Sequence, residues 1–253
     1  LQDHLDQRTM NLNMVQVAVL DEADRMLDMG FAPAIRKILN ACPTARQTML
    51  FSATMPKEIA DLANQYLKQP VRIEIARAGT IAEKVEQELY VVEKEDKPSL
   101  LRTLLDRHDG TVLVFTRTRY GAEKLARLVR RDGHTVAELH SDRTLPQRLA
   151  ALKGFKSGEY RVLVATDIAA RGIDVDGVTH VINYDLPNIA ESYVHRIGRT
   201  ARAGAEGMAI SFCDREERAY LRDIEKLTRQ KVPELQRALP EGTVATAEEP
   251  RRE

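Results

Sequence analysis

An α/β fold, with parallel strands covered by helices on both faces, is predicted by two features of the sequence. Short Val-rich runs such as residues 14–20, 111–115 and 161–165 are typical of strands that are buried on both faces. Segments with helical periodicity alternate with these runs, which favours a parallel sheet. The predicted strands are 14–20, 47–51, 71–75, 85–92, 111–115, 135–139, 161–165, 180–183 and 208–212, and the predicted helices are 31–39, 57–67, 97–107, 121–131, 146–155, 192–202 and 216–230.

The chain has 253 residues, which is enough for two modest domains. Residues 76–80 show no periodicity and include a glycine, as expected of a connection between domains. We therefore predict a first domain at 1–75, a linker at 76–84 and a second domain at 85–232. The remaining residues, 233–253, form a polar tail that we expect to be disordered.

The composition limits the class of protein. Lysine plus arginine equals aspartate plus glutamate, 38 each, so any nucleic-acid site must be a local patch. With no tryptophan and 5% aromatic residues, an extended base-stacking platform is not expected. No apolar run approaches the roughly 20 residues of a membrane helix. Only two cysteines occur, without a Cys/His cluster of metal-ligand spacing, which favours a reducing, cytoplasmic location.

Acidic side chains follow the first predicted strand, where active sites of parallel sheets lie. There Asp21 could hold Mg²⁺ through waters, and Glu22 could orient or deprotonate an attacking water. An equally open interpretation of this acidic segment is purely structural: the strand ends and an aspartate caps the helix that follows. Hydroxyls at the end of the next strand, on Ser52 and Thr54, could hydrogen bond the acidic loop or simply cap a helix.

Two later segments also carry candidate functional groups. Arginines at 196, 199 and 202 would form a ridge on a helix, suited either to phosphates or to a solvated basic face. Residues 165–174 follow a predicted buried strand and combine hydroxyl, carboxylate and guanidinium groups with a glycine. That segment is equally compatible with an ordinary loop between a strand and a helix.

Five strings in fixed order carry a family resemblance. They are D-E-A-D at 21–24, S-A-T at 52–54, V-F-T-R-T at 114–118, A-T-D-I-A-A-R-G-I-D at 165–174 and H-R-I-G-R-T-A-R at 195–202. Together they resemble the second half of the motif set of DEAD-box RNA helicases, above all the compact bacterial members. The resemblance implies two RecA-like domains, with ATP bound between them and RNA lying across both.

The resemblance also implies roles for single residues, with ATP and Mg²⁺ as cofactors. It implies that Asp21 positions Mg²⁺, that Glu22 activates the hydrolytic water and that Asp174 bonds the ATP ribose. Arg199 and Arg202 would act as arginine fingers on the γ-phosphate. The residues implied in coupling or interdomain contacts are Asp24, Ser52, Thr54, His195 and Arg196, and those implied near the RNA backbone are Thr116, Arg117, Thr166 and Gly172.

RNA is the implied partner, with ribonucleoprotein partners besides and no membrane. Contacts to phosphates and 2′-hydroxyls ignore base sequence, so largely sequence-independent binding is expected. The predicted function is an ATP-dependent RNA helicase that couples ATP hydrolysis to RNA binding and local duplex unwinding. The alternative is a non-enzymatic half-helicase that binds RNA or a partner protein.

The sequence departs from the family pattern in two places. It contains no Gly-Lys pair and therefore no G-x-x-x-x-G-K-[ST] phosphate loop. We accordingly expect a chain truncated at its N-terminus, with one partial and one complete domain, that is inactive alone and exposes apolar faces of the first domain. In the segment at 140–148, Ser141 and Leu145 replace the usual glycine and glutamine, while Arg148 is kept.

Overall fold

A computed structural model of the chain describes residues 1–28, 30–74, 85–170, 175, 177–201 and 206–235. The chain divides into two compact units, Leu1–Thr80 and Ile81–Glu253. The linker expected at 76–84 and the tail from residue 236 onward lie outside the described residues. Within the described part, no helix is long and apolar enough to cross a membrane.

The first unit is built on two short parallel strands with helices packed on one face. Leu20 on the first strand lies opposite Leu50 on the second. Both join the buried cluster formed with the helices, which includes Ile35, Ile59 and Leu62. The elements are α1 (Gln2–Asp6), β1 (Val17–Leu20), α2 (Ala23–Asp28), α3 (Ala32–Asn40), β2 (Gln47–Leu50) and α4 (Lys57–Tyr66).

The other face of this small sheet is exposed. Val17 and Val19 on β1 are 48% and 54% exposed, so the prediction that this strand is buried on both faces is wrong. Met14 and Phe51, which flank the two strands, are exposed as well. The expected exposure of apolar faces in the first unit is confirmed, because helices cover only one side of β1 and β2.

The strand predicted at 71–75 is not formed. Val71–Glu74 lie outside any strand, and residue 75 is not described. Val71 and Ile73 are exposed. A strand requires a neighbour for its backbone hydrogen bonds. Among the described residues β1 and β2 pair only with each other, so the alternating pattern at 71–75 finds no sheet to join.

The second unit contains one parallel sheet of six strands in the order β3-β8-β7-β4-β6-β5. Every pairing is parallel, so all carboxyl ends meet at one edge of the sheet. Its elements are β3 (Val85–Val91), α5 (Lys97–Arg107), β4 (Val112–Thr116), α6 (Arg119–Arg131), β5 (Val136–Leu139), α7 (Leu145–Ser157), β6 (Val162–Thr166), α8 (Asp167–Ala170), β7 (His180–Asn183), α9 (Ala190–Ile197), β8 (Gly207–Cys213) and α10 (Arg218–Thr228).

Alternating side chains of the central strands pack on opposite faces of this sheet. Val112 and Val114 join α5 and α6 in one buried cluster. Leu113 and Phe115 join residues of α7 in another. A third cluster lies under α9 and α10. The predicted parallel sheet with helices on both faces is therefore confirmed, and the Val-rich runs at 111–115 and 161–165 correspond to its strands β4 and β6.

Helix α9 is shorter than predicted. It ends at Ile197, because Gly198 forms its C-terminal cap, with its N–H donating to the Val194 carbonyl at 2.9 Å. Glycine is among the poorest helix formers, which explains why the helical pattern stops there. The predicted ridge of three arginines is wrong: Arg196 lies on the helix, Arg199 follows it, and Arg202 is outside the described residues.

The unequal burial of the two units predicts unequal local stability. We expect amides of β4, β6 and β7 to exchange with solvent at least about 100-fold more slowly than amides of β1 and β2, because only the former lie between two covered faces. Hydrogen–deuterium exchange with mass spectrometry measures this difference. Comparable protection of Val17–Leu20 and Val162–Thr166 would contradict it.

Candidate functional site

The acidic loop of the first unit begins where β1 ends. Asp21 is exposed, and its Oδ1 accepts a hydrogen bond from the Glu22 N–H at 2.9 Å. Glu22 is half-buried and has a positive φ of 50°, a conformation that costs free energy in a residue other than glycine. Its carboxylate lies 3.4 Å from the Arg25 guanidinium. This turn places two carboxylates side by side at the carboxyl end of a strand.

Asp24 joins this loop to the segment that follows β2. It is buried, and its Oδ2 accepts hydrogen bonds from both the N–H and the hydroxyl of Thr54, each at 2.8 Å. In return, Ser52 Oγ accepts a bond from the Asp24 N–H at 3.2 Å and donates to the Thr54 carbonyl at 2.7 Å. The hydrogen bonding expected between the hydroxyls and the acidic loop is thus present, and the two segments are locked together.

A buried arginine organises the carboxyl edge of the second unit. Arg196 is 1% exposed and forms a two-pronged ion pair with Asp167, with both N–O distances 2.7 Å. Its Nη1 donates to Asn183 Oδ1 at 3.1 Å and to the Asp185 carbonyl at 2.7 Å. The guanidinium carbon lies 4.9 Å from the centre of the Phe115 ring. These contacts join the ends of β4, β6 and β7 to helix α9.

A second buried network lies at the same edge. The ammonium of Lys97, at the start of α5, contacts Glu217 at 2.6 Å and Asp214 at 3.0 Å. Glu217 also accepts hydrogen bonds from Arg117 Nη2 at 2.5 Å and from the Leu186 N–H at 3.0 Å. Arg117 follows β4, so the network connects helices α5 and α10 to the end of a central strand.

The pKa values of Lys97 and Asp214 are shifted in the directions that favour their charged forms. Burial acts to lower the pKa of Lys97, but the bonds and charges of Glu217, Asp214 and Asp185 outweigh it and raise that pKa above its ordinary value. Burial also raises the pKa of Asp214, yet the Lys97 ammonium and two backbone N–H groups bring it below the ordinary value. The pKa of Glu217 is raised instead, because its burial outweighs the bond and the charge of Lys97.

A cavity of about 600 Å³ lies at the opposite, amino edge of this sheet. It is lined by the starts of β3, β7 and β8, including Glu86, His180 and Glu206. Two carboxylates in its wall disfavour a phosphate ligand. We therefore place the candidate site for phosphate groups at the carboxyl edge of the sheet and not in this cavity.

Comparison with known proteins agrees with this geometry. A family described as "DEAD/DEAH box helicase" matches residues 1–62, and one described as "Helicase conserved C-terminal domain" matches residues 96–204. The solved structure of the Escherichia coli DEAD-box protein SrmB, bound to regulator of ribonuclease activity A, is 35% identical; the match covers 61% of this chain and 92% of that one, with a TM-score of 0.58. The chain belongs to the DEAD-box helicase family.

Other DEAD-box relatives match more of the chain. The ATP-dependent RNA helicase CshA of Listeria monocytogenes is 45% identical over 235 residues, which are 92% of this chain and 45% of CshA. S. cerevisiae Dbp5, solved with RNA and ADP BeF3, is 30% identical with a TM-score of 0.84, covering 92% of this chain and 63% of that one. The chain thus spans about half the length of CshA, and the RecA-like fold is confirmed.

Four of the five strings fall at the carboxyl ends of strands, after β1 and β2 in the first unit and at the ends of β4 and β6 in the second; the fifth begins in the last turn of α9. Thr116 and Thr166 are direct neighbours across β4 and β6. Both threonines are buried, and the Thr116 hydroxyl donates to the Thr118 carbonyl at 3.2 Å. Thr116 therefore helps to shape the loop after β4, whereas Arg117 reaches the surface. Of the predicted site residues, Gly172, Asp174 and Arg202 lie outside the described residues.

Arg196 is held inside the second unit. Its guanidinium is enclosed by Asp167, Asn183 and Asp185 of that unit, and the interdomain contact that the resemblance implies stays a prediction. His195 and Arg199, its neighbours in the motif, are half-buried. Within the second unit Arg196 therefore holds the end of α9 in place, directly before Arg199.

Sequence reasoning missed the network around Lys97. Lys97 and Glu217 are 120 residues apart, and neither belongs to one of the five strings. The sequence offered only a weak signal for this network: Lys97 and Glu217 each lie at the start of a helix, and these helices follow β3 and β8, which are neighbours at one side of the sheet.

The replacement noted at Leu145 is visible as an exposed apolar side chain at the start of α7.

Breaking the Arg196–Asp167 pair tests the role of this arginine. We expect Arg196→Ala to lower the free energy of unfolding of the second unit by about 3–5 kcal/mol, because the buried two-pronged ion pair between Arg196 and Asp167 is lost. Urea unfolding followed by tyrosine fluorescence reports this, since six of the seven tyrosines lie in residues 81–253. Arg102→Ala, which removes a half-exposed pair with Asp132, should cost no more than about 1 kcal/mol. Equal losses in both variants would contradict the assignment.

Proposed function

We propose that this chain is part of an ATP-dependent RNA helicase that couples ATP hydrolysis to RNA binding and local unwinding of duplexes. The observation that carries the proposal is the acidic loop at the end of β1, hydrogen bonded through Asp24 to Ser52 and Thr54. Family membership supports it, since relatives such as CshA are named ATP-dependent RNA helicases. A cytoplasmic location and ribonucleoprotein partners belong to the same proposal.

The first unit would contribute the hydrolytic carboxylates. Asp21 is exposed and only its Oδ1 is hydrogen bonded among the described residues, so an oxygen remains for a water of a bound Mg²⁺. Such an ion neutralises charge on the phosphates during transfer. Glu22, held beside Arg25, would orient the attacking water and accept its proton.

The second unit would contribute positive charge and a ribose contact. Arg199 and Arg202 would stabilise the negative charge of the γ-phosphate, and Asp174 would bond the ATP ribose. Support for Arg199 comes from Arg196, whose buried contacts fix the helix end directly before it. Support for Arg202 and Asp174 comes from the family strings alone, since both lie outside the described residues.

Coupling and RNA binding would use the remaining motif residues. The shared hydrogen bonds of Asp24, Ser52 and Thr54 mean that neither segment can move without the other, which suits a link between ATP state and RNA binding. His195 would belong to the same set of coupling residues. RNA backbone contacts would come from Thr116, Arg117, Thr166 and Gly172, independently of base sequence.

A second candidate function, a non-enzymatic half-helicase that binds RNA or a protein, is favoured by one observation. The 253 residues contain no Gly-Lys pair, so they supply no phosphate-cradling loop for the β- and γ-phosphates. The complete six-stranded sheet of the second unit still offers its carboxyl edge for binding.

ATP turnover with and without single-stranded RNA separates these candidates. We expect no turnover by this chain above that of its Glu22→Gln variant, because the phosphate loop is absent. A fusion that places the corresponding N-terminal part of Listeria monocytogenes CshA before Leu1 should restore RNA-stimulated turnover, since the two sequences are 45% identical over 235 residues.

The matched control is Glu22→Gln in the same fusion, which should lower turnover by about 100-fold or more. A folded fusion that binds RNA and hydrolyses no ATP would contradict the enzymatic proposal and favour the half-helicase. Turnover that persists in the Glu22→Gln fusion would refute the role of Glu22.

A further inference from the structure

Arg117 is held on one side and exposed on the other. Its Nη2 donates to Glu217 Oε1 at 2.5 Å and to the Leu186 carbonyl at 3.1 Å, and its guanidinium lies 5.2 Å from the centre of the Tyr220 ring. Its backbone N–H donates to Asp185 Oδ2 at 2.8 Å. The side chain is nevertheless 39% exposed. The bonds that hold the Arg117 side chain thus use only Nη2 of the guanidinium, and part of the group stays at the surface.

The exposed part of this guanidinium is chemically suited to an anion. Among the described residues, Arg117 Nε and Nη1 make no hydrogen bond, so three of the five N–H groups of the side chain are available. A planar guanidinium with free N–H groups binds phosphate oxygens well. An arginine already held in one orientation also loses less rotamer entropy when it binds.

Glu217 is the group that holds this orientation. It is 1% exposed, and both of its oxygens are used. Oε1 bonds Arg117 and the Leu186 N–H, while Oε2 bonds Lys97 at 2.6 Å and the Asp214 N–H at 3.3 Å. A buried carboxylate with a single cationic partner would be costly, so Lys97 provides the charge that lets Glu217 stay ionised beside Arg117.

We infer that Glu217, fixed by Lys97, is a positioning residue for RNA binding that aims the free edge of Arg117 at a backbone phosphate. This rests on the proposed function, in which Arg117 contacts RNA. Glu217 itself is buried and does not touch the RNA. Its effect on affinity must therefore pass through Arg117 and disappear when Arg117 is removed.

A double-mutant cycle on the full 253-residue chain tests this. The measurement is fluorescence anisotropy of a labelled single-stranded RNA of mixed sequence, with KCl varied from about 50 to 200 mM. Arg117→Ala should weaken binding by about tenfold, and Glu217→Gln by about fivefold, since a neutral amide holds the guanidinium less tightly. Each should lower the slope of log Kd against log [KCl] by about 0.7, the loss of one phosphate contact.

In the Arg117→Ala background, Glu217→Gln should change Kd by less than about twofold. The matched control is Asp132→Asn, which removes the partner of Arg102 elsewhere in the same unit and should leave both Kd and the salt slope unchanged. A purely structural loss would lower the bound fraction without changing the salt slope.

Two results would overturn the inference while leaving the proposed function intact. One is an Arg117→Ala variant that binds weakly beside a Glu217→Gln variant that binds normally. The other is that Glu217→Gln raises Kd for the RNA by the same factor in the unaltered chain and in the Arg117→Ala background. If the unaltered chain binds no RNA, or Arg117→Ala binds as tightly as the unaltered chain, the RNA contact itself is wrong and the inference falls with it.

A second variant keeps the test decisive if Glu217→Gln fails to fold. Tyr220→Leu removes the ring beside the guanidinium but leaves Glu217 in place, and should weaken binding by about threefold with the same dependence on Arg117. Tyr220→Phe keeps the ring and should bind as the unaltered chain does. Equal affinity of the Leu and Phe variants would refute the positioning of Arg117 by the side chains that contact its guanidinium.

Discussion

The buried guanidinium of Arg196 is the constraint on which the carboxyl edge of the second unit depends. A charge that is 1% exposed is tolerable only because Asp167 faces it in a two-pronged pair and Asn183 and Asp185 accept its remaining bonds. Asp167 and Asp185 follow β6 and β7, Asn183 ends β7, and the arginine comes from α9. The pair therefore holds the last turn of α9 against the sheet, directly before Arg199.

The Arg196 network and the Lys97–Glu217 network meet at Asp185. The carbonyl of Asp185 accepts from Arg196, and its carboxylate accepts from the Arg117 N–H. Arg196, implied in interdomain contacts, and Arg117, implied near the RNA backbone, are thus bonded to one short segment after β7. A shift of that segment would change the contacts of both arginines.

The sequence predicted strands well where burial on both faces forces an apolar run. It predicted them poorly where a strand forms only if a neighbouring strand is present to pair with it. Central strands such as β4 and β6 were predictable because both faces are covered, which forces continuous apolar runs. The segment at 71–75 has a strand pattern without a strand neighbour, and pattern alone cannot reveal that. Likewise, the five strings located Arg117 and Arg196, but Glu217 lies 100 residues beyond Arg117, where no local spacing can indicate the contact.

The central claim is that RNA binds the carboxyl edge of the second unit. The most direct measurement is a titration of the isotopically labelled chain with single-stranded RNA, followed by the NMR shifts of its backbone amides. The account predicts that the largest changes lie at Arg117, Thr118 and Asp167, beyond the ends of β4 and β6. Changes concentrated at the amino edge, around Glu86, His180 and Gly207, would contradict it.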